Sequence, residues 1–301
     1  MADRWPGIEL RHLAALRAVA QERSFHAAGA RLGYTQSAVS QQIAALERAV
    51  GAKLVVRPGG PKPVTLTEAG KLLVQHAEAI ANRLAAAQAD LSAFLEGRDG
   101  VLRIGAYQSV GARIVPPFLK RFARENPSEV QLTEAASDVE LACDLESGRI
   151  DLAFTDLPLP EGPFAAVELL RDPYVLVVEA GSELAQRTEP PTAAEVARLP
   201  LLCFRSGRCT PRILRRLSDH GVEPAIAFRS DHNETLQALA SAGMGAALMP
   251  RLAVTAADPS VAVLDLGEIL PPRLIALAWN ADRQLGPAAS AFVELAKATR
   301  P

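Results

Sequence analysis

Residues 33–51 read GYTQSAVSQQIAALERAVG, with glycine at both ends. Val39, Ile43, Leu46 and Val50 recur at steps of four, three and four, one apolar stripe on an α-helix. The outward positions carry Gln36, Ser37, Ser40, Gln41 and Ala44, with no acid, base or metal ligand among them. Thr35 precedes the run as an N-cap, and Gly33 gives the tolerance of positive φ that a tight helix-to-helix turn needs. Such a face is a poor start for catalysis. Gln pairs bidentately with adenine, Ser reaches bases or phosphates, and Ala meets a thymine methyl. The helix N-terminus adds free N–H groups and a positive dipole end for phosphate. A solvated polar face would have the same composition, so the neighbouring segments decide.

Upstream, Ile8 to Glu22 carries Leu10, Leu13, Leu16 and Ala20 on one stripe, and Ser24 caps a second helix from Phe25 to Leu32. Together with the quoted stretch these form a helix-turn-helix, with Ala38 small enough to let two helices cross. Downstream, AKLVVRPGGPKPVTLT (52–67) gives two short β-like runs around a Pro/Gly turn, a wing. Arg57 and Lys62 flank that turn, placed to touch phosphate or the minor groove. Charge points the same way. Met1 to Thr65 hold nine basic and four acidic residues, leaving 23 basic and 30 acidic residues for the rest. A basic head on an acidic body implies a polyanionic partner for the head alone, here double-stranded DNA.

From Thr67 to Glu96 helix formers continue, and Gly97 ends the run. Leu73, Ala77, Ile80, Leu84, Ala87, Leu91 and Phe94 repeat at four and three as a heptad seam. About 30 residues at roughly 1.5 Å each make a rod of roughly 45 Å. A stripe on such a rod needs cover, from its own domain or from a second copy of the chain; the second copy is the reading taken here.

After Gly100 the pattern turns to alternating strands and helices, the mark of parallel sheets covered by helices. Strands are expected at VLRIGAY, VQLTEAA and IDLAFTD, with a helix over ARIVPPFLKRFARENP that ends at Pro127. Near AAVELLRDPYVLVVEAG the chain is expected to cross to a second lobe holding LLCF, a helix from Pro211 to His220, AIAFRS, a helix from Glu234 to Ala242, and GAALMP. LIALAWN and a last helix, Pro287 to Thr299, return to the first lobe. Ligands of such folds sit at strand carboxyl ends, between lobes. Gln108, Ser109, Ser137, Thr155, Phe204, Arg205 and Asp231 occupy those ends. Arg205 has the fork to clamp a carboxylate; Ser137 has the plainer role of a helix cap and Arg205 that of a surface ion-pair partner.

Other chemistries find little support. No apolar run approaches the 18 or so residues of a membrane span, and the N-terminus lacks an apolar stretch with a cleavage site, so the cytoplasm is the expected compartment. Three cysteines are too few for a disulfide framework and lack zinc spacing. The five histidines do not cluster with Cys or acids, and no G-x-S-x-G occurs. GMGAAL follows a helix and enters a strand, the reverse of a dinucleotide fingerprint. We expect no metal, no cofactor and no enzyme, an enzyme or binding protein on the two-lobe fold being the rival reading.

The string LRHLAALRAVAQERSFHAAGARLGYTQSAVSQQIAALERAVGAKLVVR…VTLTEAG resembles the N-terminal domain of LysR-type transcriptional regulators, almost without gaps from Leu10 to Gly70. Gly29 stands where the family usually has Ala, Val55 where it has Phe, and PGGPKP carries one Lys where two basic residues are common. The resemblance implies an α/β chain with a winged helix-turn-helix at 1–66, a dimerisation helix at 67–97, and a two-lobed effector domain at 98–301 similar to periplasmic binding proteins. Lobe I is placed at about 98–165 and 269–301, and lobe II at about 166–268. It further implies a homodimer or homotetramer on an interrupted inverted repeat, a small anionic effector, and contact with RNA polymerase. Positions equivalent to Ser109, Ser137 and Phe204 line the effector site in relatives that bind small acids. The resemblance also offers an alternative. GRCT (207–210) sits where the peroxide-sensing branch places its reactive cysteine, here Cys209, and Arg208 and Arg212 are placed to lower a thiol pKa. Ser218 stands at the partner position, and Cys203 falls inside an expected strand.

Overall fold

The computed structural model describes residues 7–56, 63–95, 100–207, 209–219, 221, 223–255, 257–267 and 269–299. Arg57, Lys62, Arg208 and the side chain of Phe94 lie outside the described residues. The chain divides into two compact units, the first reaching Gln88 and the second holding nearly all the rest.

In the first unit, helix α1 spans Leu10–Glu22, α2 Phe25–Leu32 and α3 Gln36–Val50. The caps fall where the sequence puts them. Ser24 accepts from the Ala27 amide at 3.3 Å, Thr35 accepts from Ala38 at 3.2 Å, and Gly33 takes φ 71°. Val39, Ile43 and Leu46 are fully buried with Leu13, Leu16 and Ala28, each cap and stripe serving one core. One expectation changes: Leu10 begins α1 half-exposed and leaves the stripe. A Cβ on Gly29 would stand 2.7 Å from the Tyr34 carbonyl oxygen, so the helix propensity lost there serves contact with the turn.

Strands β1 (Val55–Val56) and β2 (Thr65–Leu66) pair antiparallel as the wing's stem. Buried Glu47 ties α3 to it, accepting from the Leu54 amide at 2.9 Å and from Lys53 Nζ at 2.9 Å. Helix α4 runs over Glu68–Leu95. Thr67 caps it, accepting from Gly70 at 3.0 Å while donating to the Lys53 carbonyl at 2.7 Å. Gly70 lies against the wing stem: a Cβ there would fall 2.0 Å from the Leu54 oxygen, closer than any side chain can sit.

The seam on α4 divides. Leu73 and Ala77 are buried in the head's own core, which corrects their assignment to an interface between copies, because their faces are already covered. Ile80, Leu84, Ala87 and Leu91 are exposed, Leu84 at 54% and Leu91 at 59%.

The second unit contains two five-stranded sheets. Its elements in order are β3 (Leu102–Tyr107), α5 (Gln108–Arg113), α6 (Val115–Phe122), β4 (Val130–Ala135), α7 (Asp138–Ser147), β5 (Leu152–Leu157) and β6 (Phe164–Asp172). Then come β7 (Tyr174–Glu179), α8 (Ala193–Arg198), β8 (Pro200–Cys203), α9 (Cys209–Ser218), β9 (Ala225–Arg229), α10 (Asn233–Ser241), β10 (Ala246–Pro250) and β11 (Val261–Asp265). β12 (Arg273–Asn280) and α11 (Pro287–Ala298) close the chain. The first sheet runs β4-β3-β5-β12-β6 and the second β11-β7-β10-β8-β9. In each, the βαβ strands are parallel and the returning strands antiparallel. Phe118, Phe122, Phe154 and Phe292 meet edge-on or tilted in the core of the first sheet.

The lobe boundary moves as a result. β6 pairs along its length with β12, so the chain stays in the first lobe to Asp172 and crosses at Pro173, not near 166. The single helix expected to end at Pro127 is two, α5 and α6, joined at Ile114. Pro116 and Pro117 occupy the first positions of α6, where a missing N–H costs nothing, and continuation through them would cost hydrogen bonds. Helix α8, which the sequence reading passed over, is built by a capping box between Thr192 and Glu195.

Candidate functional site

On the head, Gln36, Ser37 and Gln41 stand exposed on the first turns of α3, and Ser40 is half-buried. Thr35 has a structural duty: its hydroxyl caps Ala38 and lies 3.0 Å from Ser37 Oγ. Tyr34, which sequence reasoning missed, presents an aromatic ring 47% exposed beside the start of that helix.

In the second unit a small cavity of about 70 Å³ opens between the sheets at the carboxyl ends of their parallel strands. Five of the expected residues line it: Gln108, Ser109, Ser137, Phe204 and Asp231. Gln108 bridges the lobes, donating to Glu234 Oε2 at 3.3 Å and accepting from the Asn233 amide at 3.4 Å. Ser137 is also a cap, accepting from Glu140 at 3.2 Å. Thr155 sits one layer behind, buried and 3.2 Å from the Tyr107 hydroxyl.

Arg205 is the failure. It is exposed and outside the cavity; its guanidinium donates to the Arg229 carbonyl at 3.3 Å and its amide to Asp231 at 3.1 Å. Consecutive residues leaving a strand face opposite ways, and Phe204 took the inward direction. The fork expected to clamp a carboxylate therefore lies outside the cavity, while the hydroxyl-bearing Ser109 and Ser137 line it.

Among the described residues, the cation lining the cavity is Arg273, at the start of β12. Its Nε donates to Asp172 Oδ2 at 2.8 Å, its Nη2 pairs with the same oxygen at 2.8 Å, and Nη2 donates to Ser109 Oγ at 2.9 Å. The guanidinium also lies 5.7 Å over the Tyr107 ring. Asp172 accepts at its other oxygen from Leu252, so this buried pair stands at the crossing between lobes. Tyr107 donates to Asp156 Oδ1 at 2.8 Å; burial, and then the Asp156 carboxylate, push its hydroxyl well above the ordinary range. Arg212 approaches Asp156 Oδ2 at 3.7 Å from the other lobe.

Cys209 lines the cavity, and burial, with Asp156 adding to it, raises its thiol above the ordinary range. Cys203 lies on β8, as expected, and burial pushes it up to about 11. Neither thiol is held as a thiolate, the form that reacts.

Residues 10–71 match the family described as a bacterial regulatory helix-turn-helix protein, lysR family, and residues 95–301 match the LysR substrate binding domain. The chain belongs to the LysR family. It is a DNA-binding transcriptional regulator whose second unit is an effector-binding domain. The chain is 29% identical over 98% of its length, and 98% of the relative's, to a probable HTH-type transcriptional regulator LrrA of Synechococcus elongatus. A probable hydrogen peroxide-inducible genes activator of Mycobacterium avium is 31% identical, with 87% of this chain and 83% of that one covered. Full-length CbnR complexed with its target DNA shares the fold, with a TM-score of 0.72, 24% identity, and 97% and 100% of the two chains covered. LysR regulators bind DNA and small-molecule effectors, and these relatives are transcriptional regulators. Among the described residues no helix is long and apolar enough to cross a membrane.

Proposed function

We propose that this regulator reads an interrupted inverted repeat through Gln36, Ser37, Ser40 and Gln41, with Thr35 fixing the start of the reading helix. Arg57 and Lys62 hold phosphate on either side of the wing. The observation that carries the reading is the exposed polar face on the first turns of α3, Gln36, Ser37 and Gln41, which opens on a capped helix N-terminus. Two copies pair through the exposed part of the α4 seam, Ile80, Leu84, Ala87 and Leu91, with Phe94 continuing the heptad, and pairs of dimers give the tetramer. The cavity between the sheets takes the effector, and Ser109, Ser137, Gln108, Phe204 and Asp231 supply its walls. The protein works in the cytoplasm, without catalysis, and contacts RNA polymerase when bound upstream of a promoter.

Gln36→Ala tests the reading face. It is expected to cost about 1–3 kcal/mol on the specific site and almost nothing on random DNA, as loss of a base contact does. Arg57→Ala should weaken both and flatten the salt dependence, because a phosphate contact carries no sequence information. Unchanged binding of Gln36→Ala to both DNAs would move the recognition surface elsewhere. The redox alternative gains no support from the thiols, both of which burial disfavours as thiolates.

A further inference from the structure

We propose that Arg23 is a further DNA contact of the head, holding a backbone phosphate where the helix-turn-helix meets the wing. The proposal rests on the head meeting DNA, not on which bases α3 reads. Arg23 closes α1 in the left-handed conformation, at φ 52°. Among the described residues every other positive φ belongs to glycine. That region costs any residue with a Cβ, and glycine or asparagine would end the same helix more easily. An arginine kept there against its backbone preference points to a use for its side chain.

The charge of Arg23 is also unspent. Arg11, Arg31, Lys53 and Lys71 each hold a carboxylate within 2.9 Å. Arg17 is half-buried, and Arg48 in the last turn of α3 complements the negative end of its own helix. Arg23 is exposed, and its side chain makes no ion pair or hydrogen bond among the described residues. Its place gives that charge a direction. The Arg23 carbonyl accepts from the Val64 amide at 2.9 Å, just before β2, and its neighbour Ser24 caps α2. The first helix of a helix-turn-helix crosses the DNA backbone. Arg23 thus joins the helix that crosses the backbone to the strand that returns from the wing. With Lys71 it faces an open groove of about 380 Å³ walled by Val19, Val64 and Leu66. Among the described residues no acid lines that groove. A guanidinium there can take a phosphate as a fork, adding affinity and register without sequence information.

The test uses the full-length protein and a short duplex of random sequence, since a phosphate contact is blind to sequence. Fluorescence anisotropy over a salt series, with thermal melts, is run on the wild type, Arg23→Gln, Arg23→Lys and Arg23→Gly. The Gln and Gly variants are expected to bind several-fold more weakly at low salt. Their slope of log affinity against log salt should fall by about 0.9 for each head engaged. Arg23→Lys should keep the slope, because it keeps the charge. Arg23→Gly should lose binding while gaining melting temperature, because it removes the strain, and a merely structural role cannot give that pair of results. An unchanged slope in the Gln and Gly variants, a Lys variant as weak as Gln, or a Gly variant that loses stability along with binding overturns the proposal. A wild type without affinity for the duplex at low salt overturns it as well. Because the duplex carries no operator, the outcome is separate from that of Gln36→Ala on the specific site, which tests the reading face.

Discussion

At the scale of single residues, the charges that matter are the buried ones. Burial alone would raise the Glu47 carboxyl, but Lys53 and the amides of Leu54 and Val55 outweigh it and hold it below 4.5. A carboxyl depressed in the folded state stabilises fully above its unfolded value and loses that contribution as pH falls through the folded one. The head of the native chain should therefore lose melting temperature on acidification below about pH 5, and Glu47→Gln should lose less over the same range. At neutral pH, Glu47→Ala leaves two buried amides unanswered and is expected to cost about 1–3 kcal/mol, read as a lower denaturation midpoint. Arg273→Met should cost more, about 3–5 kcal/mol, because Asp172 then keeps a buried charge without its partner; adding Asp172→Leu should restore much of it. Urea unfolding of the single and double variants checks both. Arg273 also shows where sequence reading stops. The cavity residues found in advance follow parallel strands, where the chain order itself marks them. Arg273 enters from the start of an antiparallel strand 164 residues after its partner Ser109, and nothing local marks it. Arg205 fails for the converse reason: its position was right and its direction was not.

At the scale of elements, the head was the most legible part, because a 3.6-residue stripe and a capping residue agree at each helix. Periodicity did not show how one stripe is shared. The α4 seam continues through Leu73 and Ala77 into Ile80 and Leu84 without a break in spacing, yet the first pair faces the head's core and the second faces outward. The two halves are thus expected to respond differently. Leu73→Ala should destabilise the head by about 2–5 kcal/mol and leave self-association alone, since it opens a cavity in a monomer core. Charging Ile80 and Leu84 together to Glu should leave the fold intact and separate the copies. Sedimentation at matched concentrations distinguishes the outcomes, and an intact dimer in the double Glu variant would place the interface off this seam.

At the scale of the whole molecule, the apolar cores of the two units share no residue: one is built around Leu16, Ile43 and Leu46, the others around the two sheets. Scanning calorimetry of the full chain is expected to resolve two transitions, with Leu73→Ala lowering one of them and Arg273→Met the other. A single transition moved by both would mean that the units fold as one. Charge follows the same division, with the basic excess in the first 65 residues, so salt should weaken DNA binding steeply while leaving the melting of the acidic unit far less affected.

The contact of Gly70 with Leu54 has a mechanical meaning. Leu54 is gripped from one side by Glu47 of α3 and pressed from the other by the first turn of α4, while Thr67 bolts the same strand through Lys53. There is no swivel in that train of parts. A torque applied to α4 arrives at the reading helix without slack, so the head turns as a key turns with its shaft.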